Sequence, residues 1–218
     1  MPRPFRAMLR KGSALQVTIV KLGGSLAHTP QCAAWLDVLA AWGGPLILVP
    51  GGGPFADGVR AAQAAMRFDD AAAHRMALLA MEQFGIALAA HAKAFVLADS
   101  CEKLNSALRA GKIPVWLPAR MVLAAPEVPE AWDMTSDSLA AWLAAAYGAH
   151  RLLLIKSRDM AAPVSAQDLA AKNNVDPQFP RFAARSHAEV WLAGPASLGG
   201  ALRILQCGGM PGTKLAVP

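Results

Sequence analysis

The sequence predicts an α/β protein with a mainly parallel sheet covered by helices on both faces. Three observations predict it. Short, continuous apolar runs alternate with longer stretches at helical spacing, as expected for strands buried on both sides. Glycine clusters close the first two of those runs, where a strand must turn into a helix. The 218 residues are 55% hydrophobic and 17% charged, which supplies one sizeable core and argues against large-scale disorder.

The elements follow in order. Residues 17–21 (VTIVK) are β-branched and apolar and read as a buried strand ended by Gly23 and Gly24. Residues 31–41 place Cys32, Trp35, Leu36 and Leu39 at helical spacing, and Gly43-Gly44-Pro45 stops that helix. Residues 46–49 form a second buried strand, closed by Pro50 and three glycines. Pro54 suits the first turn of a helix running to Met66. A long helix is predicted over 69–92, a short strand over 95–97, and a helix over 100–110 with Gly111 as its stop. Residues 113–117 read as a strand, 134–147 as a helix ended by Gly148, and 152–155 as a buried strand. Residues 160–188 are polar and proline-containing and give no assignment; 189–192 and 214–217 read as two final strands. Residues 1–15 read as a flexible N-terminal extension, and 16–218 as a single domain.

Charge and cysteines narrow the partners. A net charge of +6 suits phosphorylated substrates or nucleic acid, but the basic residues are scattered, with no Lys/Arg run carrying interleaved aromatics. The reading is therefore a small phosphorylated partner and no nucleic acid. Cys32, Cys101 and Cys207 are odd in number and lack CxxC spacing, which fits a reducing compartment and no zinc site. No secretory signal is read before Lys21, and residues 38–56 hold Pro45, Pro50, Pro54 and five glycines, so they do not make a membrane helix. The expectation is a soluble, cytoplasmic protein without a membrane partner.

Two glycine loops carry the candidate chemistry: Lys21-Leu22-Gly23-Gly24-Ser25 and Val49-Pro50-Gly51-Gly52-Gly53-Pro54. Glycines at a strand end let backbone N–H groups approach an anion, and the next helix N-terminus adds a favourable dipole. Lys21 contributes a compact positive charge and Ser25 a hydroxyl donor. The same loops also serve as tight turns in ordinary α/β proteins. The Walker A pattern is absent. Gly51-x-Gly53-x-x-Ala56, with Asp69 or Asp70 downstream, matches the looser dinucleotide fingerprint, so a nicotinamide-dependent oxidoreductase is a rival reading. It leaves residues 21–25 without a role.

A third segment, Asp133-Met134-Thr135-Ser136-Asp137-Ser138, opens the apolar helix ending at Tyr147. Capping accounts for one of these polar residues but not for all together. Phosphoryl transfer needs charge neutralisation and alignment more than covalent chemistry, and a carboxylate beside a lysine with hydroxyls at a helix start suits that task.

The ordered set VKLGGS, VPGGGPF, TSDSLAAWLA, LLLIKSRD and a closing Gly212-Thr213 resembles the amino acid kinase superfamily, from about Val17 to the C-terminus. HRMALLAMEQFG and TSDSLAAW resemble its small branch that phosphorylates an aminomethylfuran-methyl phosphate to the diphosphate in methanofuran biosynthesis; uridylate kinase is a better-known relative. The resemblance implies a three-layer α/β/α sandwich, ATP and Mg²⁺, and a homo-oligomer, dimer or hexamer. By position, it implies that Lys21 stabilises the transferring phosphoryl group and that Asp137 positions Lys21. Gly23, Gly24 and Ser25 would hold ATP phosphates, with Lys156 and Asp159 in the nucleotide loop. Gly52, Gly53, Thr135 and Ser136 would meet the acceptor, and His74 would contact it. Asp159 is followed by Met160 where the family often has glycine, which leaves open a non-catalytic nucleotide- or anion-binding member.

Single residues keep two readings. Arg60 can reach an acceptor phosphate or sit on a solvated helix face. His74 and His91 are not at metal-ligand spacing, and each reads as a surface or capped histidine as well. Trp132 can wall an aromatic acceptor or sit in the core. Met76, Leu79 and Met81 read as core.

Overall fold

The computed structural model describes residues 16–160 and 165–217. The expected extension over residues 1–15 lies outside them. The described residues build one seven-stranded sheet: β1 (Thr18–Leu22), β2 (Leu46–Pro50), β3 (Phe95–Ala98), β4 (Ile113–Trp116), β5 (Arg151–Ile155), β6 (Glu189–Ala193) and β7 (Thr213–Lys214). Their order is β3-β4-β2-β1-β5-β6-β7. All neighbours are parallel except β6 and β7.

Nine helices flank it among the described residues: α1 (Gln31–Trp42), α2 (Gly53–Met66), α3 (Asp70–Ala89), α4 (Cys101–Arg109), α5 (Ala119–Val122), α6 (Ser136–Tyr147), α7 (Ala166–Ala171), α8 (Phe179–Ser186) and α9 (Leu198–Gln206). The strands divide their side chains between two cores. Ile19, Ile47, Val49, Leu152 and Leu154 pack with α4, α6 and α8. Val20, Leu22, Leu46, Leu48, Leu153 and Ile155 pack with α1, α9 and the C-terminal half of α3. This is the alternation of a pleated strand with both faces covered, and it is the expected sandwich.

The predicted elements are present, with shifts at their ends. Asp69 and Ser100 are N-caps, accepting from Ala72 N and Lys103 N, so α3 and α4 begin one residue later than the predicted spans. The last strand is displaced: β7 covers Thr213–Lys214, and beyond it Leu215 N donates to Val190 O at 2.8 Å and Ala216 makes an isolated bridge to Ser165. Residues 160–188, left unassigned, hold α7 and α8. A capping box between Ser165 and Asp168 starts α7, and Phe179, Phe182, Ala183 and Ser186 form the buried stripe of α8. Met81 is buried as expected, but Met76 and Leu79 are 38% and 51% exposed, because α3 turns that face away from the sheet.

Register sets the site. β1 lies between β2 and β5, with Leu22 opposite both Pro50 and Ile155. Three strands thus end at one level, and the segments that follow them, 23–25, 51–53 and 156–160, emerge together. This is the carboxyl edge of the sheet, where α/β proteins bind ligands.

Candidate active site

The two glycine turns interlock. Gly51 N donates to Leu22 O at 2.9 Å and Gly23 N to Ile155 O at 3.0 Å, tying each turn to the neighbouring strand end. A Cβ on Gly24 would stand 2.3 Å from Gly53 N, and one on Gly51 would stand 2.3 Å from Gly24 N. No other residue type allows this approach of backbone to backbone. Gly53, at φ +54°, begins α2 with Pro54 in its first turn.

Lys21 shares the pleat direction of Ile19, so it faces the layer that contains α6. It is 4% exposed, and its Nζ lies 2.9 Å from Asp137 Oδ1 in the first turn of that helix. Lys156, one residue past β5, reaches the other oxygen: its Nζ donates to Asp137 Oδ2 at 2.8 Å and to Asn174 O at 2.8 Å. Two buried ammonium groups therefore share one carboxylate. Burial pushes the Asp137 carboxyl up, but the charges and hydrogen bonds of Lys156 and Lys21 outweigh it and hold the group at about 2. Burial pushes Lys156 down, and Asp137 works against that. Lys21 meets Oδ1 as a close ion pair at 2.9 Å.

Two cavities meet here. One, of about 280 Å³, is lined by Gly52, Gly53, Arg60, His74, Thr135 and Ser136, together with Trp132 and Met81. The other, of about 380 Å³, is lined by Lys21, Gly23, Lys156, Arg158, Asn173 and Asn174. Gly24 and Ser25 line both. Ser25 Oγ lies 2.9 Å from Ser157 Oγ, and both serines line the second.

The sequence-predicted residues fall on this frame as follows. The six named for the acceptor all line the first cavity. Of the nucleotide set, Gly23, Gly24, Ser25 and Lys156 line the second. Asp159 is turned away: its carboxylate accepts from Ala196 N at 3.1 and 3.3 Å and lines neither cavity. Asp137 lies behind the junction, and Lys156 joins it beside Lys21, a pairing that spacing along the chain does not show.

His74 is 4% exposed rather than on the surface, and its Nε2 is buried without a hydrogen-bond partner. Burial pushes its imidazole down in pKa, with Glu130 acting in the opposite sense. His91 instead pairs with Asp37 at 2.7 Å and lines neither cavity. Arg60 donates to Asp57 at 2.8 Å and lies 4.9 Å from the centre of the Trp132 ring, whose Nε1 donates to Gln63 at 2.7 Å. Arg60 and Trp132 therefore form one wall of the first cavity.

Asp176 is the residue that sequence reasoning missed. It accepts from Thr135 N at 3.0 Å, Thr135 Oγ1 at 2.8 Å and Ser138 N at 3.1 Å, and from Ser138 Oγ. The cap of α6 thus comes from about forty residues downstream, and no local spacing announces it. The dinucleotide rival loses its acidic partner, since Asp69 caps α3 and Asp70 accepts from Gln63.

A junction of two cavities over a buried, positively charged seam fits the class of protein that the comparisons with known proteins give. It is a phosphotransferase, which must hold donor and acceptor end to end while charge develops between them. The chain belongs to the amino acid kinase family, whose sequence model matches residues 16–160. It is 26% identical over 176 residues to the [5-(aminomethyl)furan-3-yl]methyl phosphate kinase of Methanocaldococcus jannaschii, covering 74% of this chain and 80% of that one. Among solved structures it is similar to UMP kinase from Bacillus anthracis, with TM-score 0.68 and 14% identity over 92% of this chain and 95% of that one. Uridylate kinase from Archaeoglobus fulgidus gives TM-score 0.65 and 14% identity over 93% and 100%. At that identity the structural likeness speaks for the fold.

Proposed function

We propose that the protein transfers the terminal phosphoryl group of ATP to the phosphate of a small phosphorylated acceptor, giving a diphosphate and ADP. The observation that carries this reading is the shared lining of the two cavities: Gly24 and Ser25 line both, and the buried Lys21 lines the second beside them. ATP enters the cavity lined by Lys21, Gly23 and Lys156, and the acceptor enters the one lined by Gly52, Gly53, Thr135 and Ser136. An acceptor phosphate oxygen attacks the terminal phosphorus of ATP, and the bond from that phosphorus to the bridging oxygen breaks. Lys21 and Lys156 neutralise the transferring group, and the glycine N–H groups hold its oxygens. A phosphate acceptor is already largely ionised near neutral pH, so the step needs no general base. Asp137 suits this, since a carboxyl held at about 2 is a fixed anion that orients two lysines.

Among the described residues, no group of three or more His, Cys, Asp or Glu side chains is placed to hold a metal ion. Mg²⁺ bound with the nucleotide would supply further charge neutralisation.

For the acceptor we favour [5-(aminomethyl)furan-3-yl]methyl phosphate, the substrate named for the Methanocaldococcus relative. The cavity supports a small aromatic alcohol phosphate: it is compact and walled by Trp132, with a buried, unpartnered His74 nitrogen beside it. On this reading the chain acts in methanofuran biosynthesis and one-carbon metabolism, in the cytoplasm. No helix among the described residues is long and apolar enough to cross a membrane. Met76, Leu79 and Ile86 expose one apolar face of α3, which supports a homo-oligomer. The deciding assay is ADP release against a panel of phosphorylated alcohols that includes this furan phosphate and UMP. Turnover with the furan phosphate is expected to exceed that with UMP; ADP release with no member of the panel would refute the reading.

A further inference from the structure

We propose that Asp176 is a positioning residue that couples the two cavities, so that occupation of one strengthens binding in the other. This rests on the kinase reading above. The Asp176 carboxylate is 7% exposed and receives four hydrogen bonds from the start of α6, two each from Thr135 and Ser138. Thr135 provides no side-chain cap of its own, so this carboxylate organises the turn. That turn carries Thr135 and Ser136 of the acceptor wall, and Asp137, which holds both lysines.

On its own chain segment Asp176 closes residues 173–176. Asn173 and Asn174 of that segment line the donor cavity. Asn174 O accepts from Lys156 Nζ at 2.8 Å, and Asn174 Oδ1 accepts from Arg158 Nη2 at 2.7 Å. Asp176 itself lines neither cavity, so it acts through its neighbours. One carboxylate therefore joins a wall of the donor cavity to a wall of the acceptor cavity. A nucleotide that orders residues 173–176 also orders the first turn of α6, and the acceptor then binds a site already assembled. Linkage requires the acceptor to strengthen nucleotide binding by the same factor.

The test is calorimetry on the full chain with a non-hydrolysable ATP analogue, alone and with saturating [5-(aminomethyl)furan-3-yl]methyl phosphate. In the wild type the acceptor is expected to tighten analogue binding about tenfold. Asp176→Asn keeps the shape but presents amide hydrogens to donors that need an acceptor. Its coupling is expected to fall to within about twofold of none, while the Kd for analogue alone moves less than about threefold. Ser138→Ala removes one donor, leaves the carboxylate in place and lies outside both cavities. It is expected to lose part of the coupling, and it carries the test if Asp176→Asn does not fold. A folded Asp176→Asn with a lowered Tm and undiminished coupling overturns the proposal, because Asp176 is then a helix cap alone. A wild type that binds both ligands without coupling also overturns it and leaves the kinase reading standing. A wild type that binds neither overturns the kinase reading and this proposal together.

Discussion

At the scale of single residues, the site turns on the buried pair of Lys21 and Asp137. The lysine after a β-branched run was legible, because an ammonium at the end of a buried strand needs a reason. Its partner was named from family resemblance, and the structure pairs the two at 2.9 Å. Lys21→Ala is expected to lower kcat about 10²-fold or more, through loss of charge stabilisation in the transition state. Single-turnover assays and analogue titration separate this from binding, since Lys156 still lines the donor cavity. Asp137→Asn leaves two buried ammonium groups on a neutral amide and is expected to cost about 3–5 kcal/mol, read by urea denaturation. The pH dependence has a definite sign. The folded-state carboxyl lies at about 2, below its ordinary 3.8, so its contribution is present above the ordinary value and fades as pH falls toward the lower one. The stability gap between wild type and Asp137→Asn is therefore expected to narrow from about pH 4 to about pH 2.

At the scale of elements, local sequence shows what the glycine turns can bind but not that they touch each other. Gly24 and Gly51 lie far apart in sequence and meet backbone to backbone because β1 pairs with β2 in parallel. Gly24→Ala would put a Cβ 2.3 Å from Gly53 N, so the turns must part, at a cost of about 1–3 kcal/mol and with most of the activity lost. Gly58→Ala, on α2 where an added Cβ meets nothing within 4 Å, is the control and is expected to stabilise by about 0.5–1 kcal/mol. Thermal melts and ADP release on both variants check this. The helices α7 and α8 carried signals that polarity and prolines obscured, namely the Ser165/Asp168 box and the Phe179, Phe182, Ala183, Ser186 stripe. The end of the chain went the other way. Its apolar residues read as a strand over 214–217, but the strand covers only Thr213–Lys214, with one further bond from Leu215 N to Val190 O.

For the whole molecule, binding is linked to stability. An ATP analogue at about one hundred times its Kd is expected to add about 2.7 kcal/mol, which raises Tm by roughly 5–10 °C for a chain of this size. NADH is expected to give no shift, because the downstream aspartates that a ribose would need are committed to Ala72 N and Gln63. A shift with NADH and none with the ATP analogue would restore the oxidoreductase reading.

The sequence by itself determined which segments are buried strands, where glycine lets the backbone turn, and which charged residues stand at strand ends. Those properties are local: apolar runs, φ freedom and side-chain charge act within a few residues. The tertiary structure alone decided that β1 would lie between β2 and β5, that Lys156 would share Asp137 with Lys21, that Asp159 would turn to Ala196, and that Asp176 would cap a helix from far along the chain. Strand order and long-range hydrogen bonds are set by how whole layers pack, and a buried charge takes the partner that packing brings within reach.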